Sequence, residues 1–302
     1  MAKQKQFYVI VNPTANRGDA AAMIPQLESL FNTKKIEYKM EVTKAPLHAT
    51  ELARQAASSG YPVIIAAGGD GTVNEVVNGL VGSDSVLGVL PLGSGNDFSK
   101  NLALRKQDLD FDLKVLLKKK VKKIDLGIIN DHYFASQTSM GFTGRVNNYV
   151  KQSPAFLRGY SMMIYSIMRI LIDYYPHHLQ ITMKDDKDKT IKLDGDYTIC
   201  DVGNGRYEGD GFQLTPDARL DDGILDVCLA DTVTRKYILR LLPKIMQGQH
   251  VNMPHISMYK VKEITVESDK IIPLHYDGEL NNQYKKVVIK VVPAALKVIS
   301  HD

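Results

Sequence analysis

Residues 62–67, Pro-Val-Ile-Ile-Ala-Ala, run straight into Gly68-Gly69-Asp70-Gly71, and the chain then resumes as Thr-Val-Asn-Glu-Val-Val-Asn-Gly-Leu. A short strand of that composition is buried on both faces, the situation inside a parallel sheet. Val73, Val76, Val77 and Leu80 recur at helical spacing, so a helix follows and packs one face back on the sheet, with Thr72 as the expected cap. The glycines therefore stand at a strand-to-helix junction. There the backbone can approach a ligand closely, and the helix amides and dipole favour an anion. Plain tight packing at an α/β turn also fits these glycines. Asp70 adds chemistry, because a carboxylate beside a polyphosphate is repelled unless a cation or a water network lies between them. That points to a magnesium nucleotide rather than bare phosphate.

The same alternation extends over the first part of the chain: strand 7–11, helix 19–31, strand 36–42, helix 48–58, strand 63–67, helix 72–80 and strand 86–90. It predicts a parallel sheet covered on both faces. Three loops leave the carboxyl ends of its strands, which is where ligands bind in such sheets. They are Asn12-Pro13-Thr14-Ala15-Asn16, Gly68-Gly69-Asp70-Gly71-Thr72 and Leu92-Gly93-Ser94-Gly95-Asn96-Asp97. Three such loops at one edge argue for a nucleotide site more strongly than any one alone.

Beyond Asp125 the pattern changes. Runs at 123–129, 133–136, 197–202, 224–230, 260–266 and 287–292 are separated by Asn-Asp, Gly-Asp and Asp-Gly turn signals, and a helix at 234–246 interrupts them. This predicts a largely antiparallel second domain, and two domains are what 302 residues lead one to expect. The net charge of +4 is no nucleic-acid signature, although it suits nucleotide phosphates or an anionic membrane surface. Lys118-Lys119-Lys120 with Lys122-Lys123 reads as a solvated helix end, with membrane attraction as the alternative. Cys200 and Cys228 lie in apolar runs and read as free, buried thiols of a reducing compartment, with a disulfide as the alternative. No zinc spacing is present. The strand at 7–11 leaves no room before it for a signal peptide's apolar segment. The apolar stretch 160–175 contains Arg169 and Asp173 and falls short of the ~20 residues that cross a bilayer, so a cytoplasmic protein is expected.

Several motifs remain: Asn12-Pro13; Gly69-Asp70-Gly71-Thr72-Val73-Asn74-Glu75; Pro91-Leu92-Gly93-Ser94-Gly95-Asn96-Asp97-Phe98; Lys123-Ile124-Asp125-Leu126-Gly127; Asn204-Gly205; Pro216-Asp217-Ala218-Arg219-Leu220-Asp221-Asp222-Gly223; and Asp277-Gly278-Glu279. In this order and spacing the chain resembles the diacylglycerol kinase catalytic-domain superfamily, and among it the bacterial soluble lipid kinases, over nearly its whole length. The resemblance implies an α/β, parallel-sheet ATP-binding domain at 1–124 plus about 293–302. It also implies a β-rich, antiparallel, sandwich-like lipid-acceptor domain at 125–292, an arrangement like that of NAD kinases and diacylglycerol kinases. The final strand would return to the first domain.

It further implies ATP contacts by Asn12, Pro13, Thr14, Ala15, Asn16, Thr43, Gly69, Asp70, Gly71, Thr72, Val73, Asn74, Glu75 and Ser94. Many bacterial members have threonine where this chain has Ser94; the hydroxyl survives. A structural magnesium would be held by the Asp222 carboxylate and the carbonyls of Arg219 and Ile224. The residues alone read there as oxygen-rich enough for Mg²⁺ or as a solvated turn. Glu279 would accept the proton of the lipid hydroxyl, and Asp70, Asp97 and Asp125 would hold the catalytic Mg²⁺ and phosphates through water.

The implied reaction is transfer of the γ-phosphoryl group of ATP to diacylglycerol or a related lipid. The implied partner is a lipid at the inner membrane surface, where the enzyme acts peripherally, with no nucleic acid and with a homodimer left open. The methionine- and isoleucine-rich segment 156–175 reads either as an acyl-chain lining or as an ordinary buried helix. An NAD kinase, which shares Gly-Gly-Asp-Gly-Thr, and a nucleotide-binding module without turnover are the alternatives.

Overall fold

The computed structural model describes residues 6–105, 108–154, 156–157, 159–280 and 283–301, with backbone alone at 147, 151 and 280. In chain order the elements are β1 (Phe7–Val11), α1 (Asp19–Thr33), β2 (Tyr38–Val42), α2 (His48–Ser58), β3 (Val63–Gly68), α3 (Asp70–Leu80), β4 (Val86–Pro91), α4 (Asp97–Asn101) and α5 (Leu109–Lys118). There follow β5 (Val121–Ile129), β6 (His132–Phe134), β7 (Gln137–Gly141), α6 (Phe142–Lys151), α7 (Gly159–Ile172), β8 (His177–Asp185), β9 (Thr190–Gly203) and β10 (Leu225–Asp231). The chain ends with α8 (Arg235–Met246), β11 (Ile256–Glu267), β12 (Leu274–Tyr276), β13 (Glu279–Leu280) and β14 (Lys286–Ile299). It divides into one unit of Met1–Ile124 with Ala294–Asp302 and another of Asp125–Pro293.

In the first unit β2, β1, β3 and β4 pair in that order, all parallel, and the end of β14 adds alongside β4, with Lys297 opposite Val86. β1 and β3 are buried along their whole length, because helices cover both faces of a parallel sheet. β2 is the edge strand and is only partly buried, and it begins at Tyr38 rather than at 36. α3 starts at Asp70 with Gly69 as its cap, so Thr72 lies inside the first turn and is not the cap. Its hydroxyl instead accepts a hydrogen bond from Asn12 at 3.0 Å.

The second unit is β-rich and antiparallel. β9 pairs with β7, β8 and β10, and β11 pairs with β8, β10 and β14. Alternation along the strands builds two cores. Cys200, Val202, Val227 and Leu229 face a core shared with Leu179, Ile181 and Met183 of β8. Ile199, Cys228 and Ala230 face the other way, onto α6, α7 and α8. Both cysteines are free and buried. β8 and the first half of β9 are absent from the strands expected from apolar runs. They form a hairpin with one face in water, so only every second residue of β8 is buried. Among the described residues no helix is long and apolar enough to cross a membrane.

Candidate functional site

Three loops of the first unit are joined by side chains drawn from far apart in the sequence. Asn12 follows β1, and its side-chain oxygen accepts from the Thr14 amide at 3.0 Å and the Thr14 hydroxyl at 2.8 Å, while its side-chain nitrogen donates to Thr72. The chain then passes through Asn16, Arg17 and Gly18, all with positive φ, before α1 begins. Asn16 accepts a hydrogen bond from the Ser94 hydroxyl at 2.9 Å and donates to Asp19. Pro13 and Ala15 are half-buried in the same turn. Thr43, just past β2, donates its amide to the Val11 carbonyl at 2.8 Å, which keeps it beside the end of β1.

The second and third loops meet directly. Asp70 accepts a hydrogen bond from the Phe98 amide at 3.0 Å, and the Leu92 amide donates to the Gly68 carbonyl. Asn96 has φ of 53° and closes the Gly93 loop from both sides, accepting from the Gly93 amide at 2.8 Å and donating to its carbonyl at 2.7 Å. Asp97 is buried and its carboxylate lies 2.7 Å from the Lys100 ammonium. Gly69, Asp70, Gly71 and Thr72 together form the start of α3, where the first amides of a helix have no partner within it and the dipole is positive. An oxyanion fits there.

Val73 and Asn74 are buried in the next turn, and Asn74 accepts from the Asn78 side chain. Glu75 points to a different task. Its carboxylate accepts the Ala49 amide at 3.0 Å, and its carbonyl accepts the Thr50 hydroxyl at 2.8 Å. A negative charge at the amino end of α2 stabilises that helix.

In the second unit Asp125 is buried on β5. Its carboxylate accepts the Gly223 amide at 2.6 Å, and its carbonyl accepts from Asn204 at 2.9 Å. Asp125 therefore pins the turn that contains Asp221 and Asp222. Asp222 accepts the Ile224 amide at 3.2 Å, and Arg219 lies 3.7 Å from Asp221. Asp226, close behind, is buried with one carboxylate oxygen unpartnered. Its pKa is raised by burial, with Lys260 opposing and Asp222 and Asp217 adding to the rise. Oxygen donors with an unpartnered carboxylate oxygen nearby suit a hard cation such as Mg²⁺. Among the described residues no cluster of three or more His, Cys, Asp or Glu side chains suited to a metal occurs; the expected donor set of Arg219, Asp222 and Ile224 has one carboxylate and two carbonyls.

Glu279 opens β13 and is exposed, opposite Tyr276. The two residues between them, Asp277 and Gly278, both have positive φ, 44° and 85°, the geometry of a tight hairpin turn that Asp-Gly favours. Asp277 is far more than a turn residue. Its buried carboxylate accepts the amides of Ala135 at 2.7 Å, Ser136 at 2.8 Å and Gln137 at 3.1 Å.

The hairpin has a second support that sequence reasoning missed. Asp201, Ser139 and His275 stand side by side on β9, β7 and β12 and are all buried. Glu208 binds two groups at once, accepting from the Ser139 hydroxyl at 2.7 Å and lying 2.8 Å from the His275 ring nitrogen. Thr143 donates to Asp201 at 3.1 Å. Burial, and next the charge of Glu208, push the Asp201 pKa well above the usual carboxylate range. No spacing in the chain links positions 139, 143, 201, 208 and 275, and only strand register could have found them.

The chain matches two family models in succession: the diacylglycerol kinase catalytic domain over residues 6–129 and the YegS C-terminal NAD kinase beta sandwich-like domain over residues 136–300. It is 28% identical to the diacylglycerol kinase of Bacillus subtilis (strain 168) over 277 residues, 91% of this chain and 90% of that one. It is 33% identical over 235 residues to a Chromohalobacter salexigens protein named "Probable lipid kinase YegS-like", covering 76% of this chain and 73% of the relative. Among solved structures, a Bacillus anthracis str. Sterne protein described as a candidate diacylglycerol kinase superposes with a TM-score of 0.78 at 25% identity, covering 99% of this chain and 97% of that one. This protein belongs to the diacylglycerol kinase catalytic domain family, in the form that continues into a YegS-type C-terminal domain.

Proposed function

We propose that this protein is a lipid kinase that transfers the γ-phosphoryl group of ATP to the hydroxyl of diacylglycerol, giving phosphatidate, or to that of a related lipid. The observation that carries the reading is the joined set of loops in the first unit, where Asn12 binds Thr72, Asn16 binds Ser94, and Asp70 binds the Phe98 amide at the start of α3. Three rigidly linked loops at the carboxyl ends of parallel strands suit a polyphosphate. The kinase names of the relatives support the same reaction class.

In this reading the acceptor oxygen bonds to the γ-phosphorus as the bond to the bridging oxygen of ADP breaks, and the hydroxyl proton passes to Glu279. The loop residues hold the nucleotide, and Asp70, Asp97 and Asp125 hold magnesium and phosphates through water. Magnesium, when bound, neutralises charge on the transferring phosphoryl group. Asp222, with the carbonyls of Arg219 and Ile224, would hold a second, structural magnesium at the turn that Asp125 pins. Asp277 acts through Glu279, by fixing the turn that presents it. The enzyme works in the cytoplasm and reaches its lipid at the membrane surface.

The test offers γ-labelled ATP and magnesium with mixed micelles of diacylglycerol, with NAD, and with no acceptor, to the native protein and to Glu279→Gln. Label in phosphatidate that the variant loses is the expected result. Label in NADP makes the protein an NAD kinase, and ATP binding without ADP release for any acceptor makes it a binding module; either overturns the proposal.

A further inference from the structure

Asp201, Ser139 and His275 stand opposite one another on adjacent strands, with Ser139 in the middle of the row. Glu208 reaches the row from the loop after β9. A single oxygen of it, Oε1, accepts the Ser139 hydroxyl at 2.7 Å and lies 2.8 Å from the His275 Nε2. Its other oxygen is buried without a partner, and so is the His275 Nδ1. A bare Nδ1 fits a neutral imidazole with its proton on Nε2, because an imidazolium would leave a buried N–H with no acceptor. Glu208 is then the anion of the pair, and among the described residues no lysine or arginine is paired with it. Held at one oxygen only, its carboxylate is free to turn.

Asp201 completes the cluster. It is fully buried, and the Thr143 hydroxyl lies 3.1 and 3.2 Å from its two oxygens and 3.2 Å from the Met140 carbonyl. That hydroxyl has one hydrogen and serves either state of the acid. It donates to ionised Asp201; beside protonated Asp201 it accepts, and turns its own hydrogen to Met140. Burial, and next the charge of Glu208, favour the protonated form. The other titratable groups close to Asp201 carry no charge. Cys228 stands opposite it on β10 and Cys200 precedes it on β9, and burial pushes both thiols up. Behind Cys228, the His250 Nε2 donates to the Leu214 carbonyl at 3.1 Å, and burial lowers the pKa of that ring. Arg145 of α6 is turned away, to the Asp173 carbonyl.

β12 carries His275 and leads straight into the Asp277-Gly278 turn and Glu279. Two carboxylates thus act on one hairpin: Asp277 fixes its turn, and Glu208, through His275, fixes the strand before it. We propose that Asp201 and Glu208 form a buried proton switch for this hairpin. With one proton on the pair, Glu208 holds His275 and Glu279 stays in place. When that proton leaves to solvent, the two buried charges repel, Glu208 turns away and the hold on β12 is lost. Glu208 and His275 are then positioning residues.

The consequence for turnover rests on the reading of Glu279 as the base, whereas the switch itself does not, so the test has readouts with and without turnover. NMR follows the ring signals of isotope-labelled histidine as pH is raised from neutral into the alkaline range, with His275 assigned through His275→Gln. Native protein, Asp201→Asn and Glu208→Gln are compared, and melting curves are recorded over the same range. The kcat for diacylglycerol with labelled ATP is measured beside them.

Native protein is expected to show a step in the His275 signals, with kcat falling about tenfold across it. Each variant has at most one charge in the pair, so both are expected to lose the step in signal and in kcat. The stability contributed by protonated Asp201 is complete below about pH 4 and is lost as pH rises through its folded value, so Asp201→Asn should gain on the native melting temperature as pH rises. Absence of the step in native protein, or its persistence in the folded variants, overturns the switch. Should Asp201→Asn fail to fold, Glu208→Gln decides alone, since its side chain is 15% exposed and glutamine keeps the oxygen that accepts from Ser139. A His275 step that the variants lose, without phosphorylation of any lipid, keeps the switch and removes the kinase reading. Lipid phosphorylation with one pH profile in all three proteins keeps the kinase reading and removes the switch.

Discussion

Gly69 and Gly93 meet backbone to backbone: a β-carbon built on Gly93 would lie 2.3 Å from the Gly69 α-carbon and 2.8 Å from the Asn96 side-chain oxygen. Neither neighbour can yield cheaply, because one is main chain and the other closes its own loop with two hydrogen bonds. Gly93→Ala is therefore expected to separate the second and third loops, to cost about 2 kcal/mol in urea unfolding, and to weaken ATP binding. Calorimetric titration with ATP checks the second half, and native affinity in the variant would show that the loop contact is irrelevant to the nucleotide.

Asp277 and Glu279 are two residues apart and are expected to fail differently. Asp277→Asn places an amide group among three donating amides, so a loss of about 2–4 kcal/mol in stability is expected, with turnover falling alongside. Glu279→Gln changes an exposed side chain, so the melting curve should be native while kcat falls about 100-fold or more and ATP affinity holds. Equal thermal loss in the two variants would reject this division of labour.

Asp70 carries both a structural and a proposed chemical task, which two substitutions separate. Asp70→Asn keeps an oxygen for the Phe98 amide and removes the charge, so native stability and lost turnover are expected. Asp70→Ala leaves that amide without its acceptor and should cost about 1 kcal/mol more. Chemical denaturation of both variants beside their labelled-ATP assays measures the difference.

Asp112 offers a pH test in the first unit. It is fully buried in α5, accepts the Arg105 amide at 2.8 Å, and its pKa is raised to about 6, chiefly by burial. A raised acid binds its proton better in the folded state, so the stability it contributes is complete below about pH 4 and is lost as pH rises through about 6. Asp112→Asn keeps an acceptor and no charge. It should be more stable than the native protein by about 1–2 kcal/mol near neutrality, after allowance for solvent screening, with the gap closing towards about pH 4. A gap that widens on acidification would reverse the sign and exclude this cause.

Much of the first unit is legible in the sequence. β1, α2 and β3 follow from buried runs and helical spacing that a parallel sheet makes unambiguous, because its strands are apolar on both faces. The three loops could be named for the same reason, since strand ends locate them. Thr72 was misread as a cap because a hydroxyl in a first turn has two uses, and the choice depends on Asn12, sixty residues away. β8 was missed because a strand with one wet face offers only Leu179, Ile181 and Met183 between polar residues.

What the sequence by itself determined is the alternation that builds the parallel sheet, the glycine-rich loops at its edge, the Asp-Gly turn before Glu279 and the apolar character of α7. These are properties of near neighbours in the chain, set by backbone geometry and residue spacing. Only the tertiary structure decided which partners those groups take. It gave Glu75 to the end of α2, Asp125 to the Gly223 amide and Asp277 to the amides of residues 135–137, and it set Asp201, Ser139 and His275 in one row. It also divided α7 into a buried face and an exposed one. The reason is physical: a buried carboxylate or an apolar side chain takes the partner that strand register and helix packing bring to it, and register is fixed by cores assembled from the whole unit.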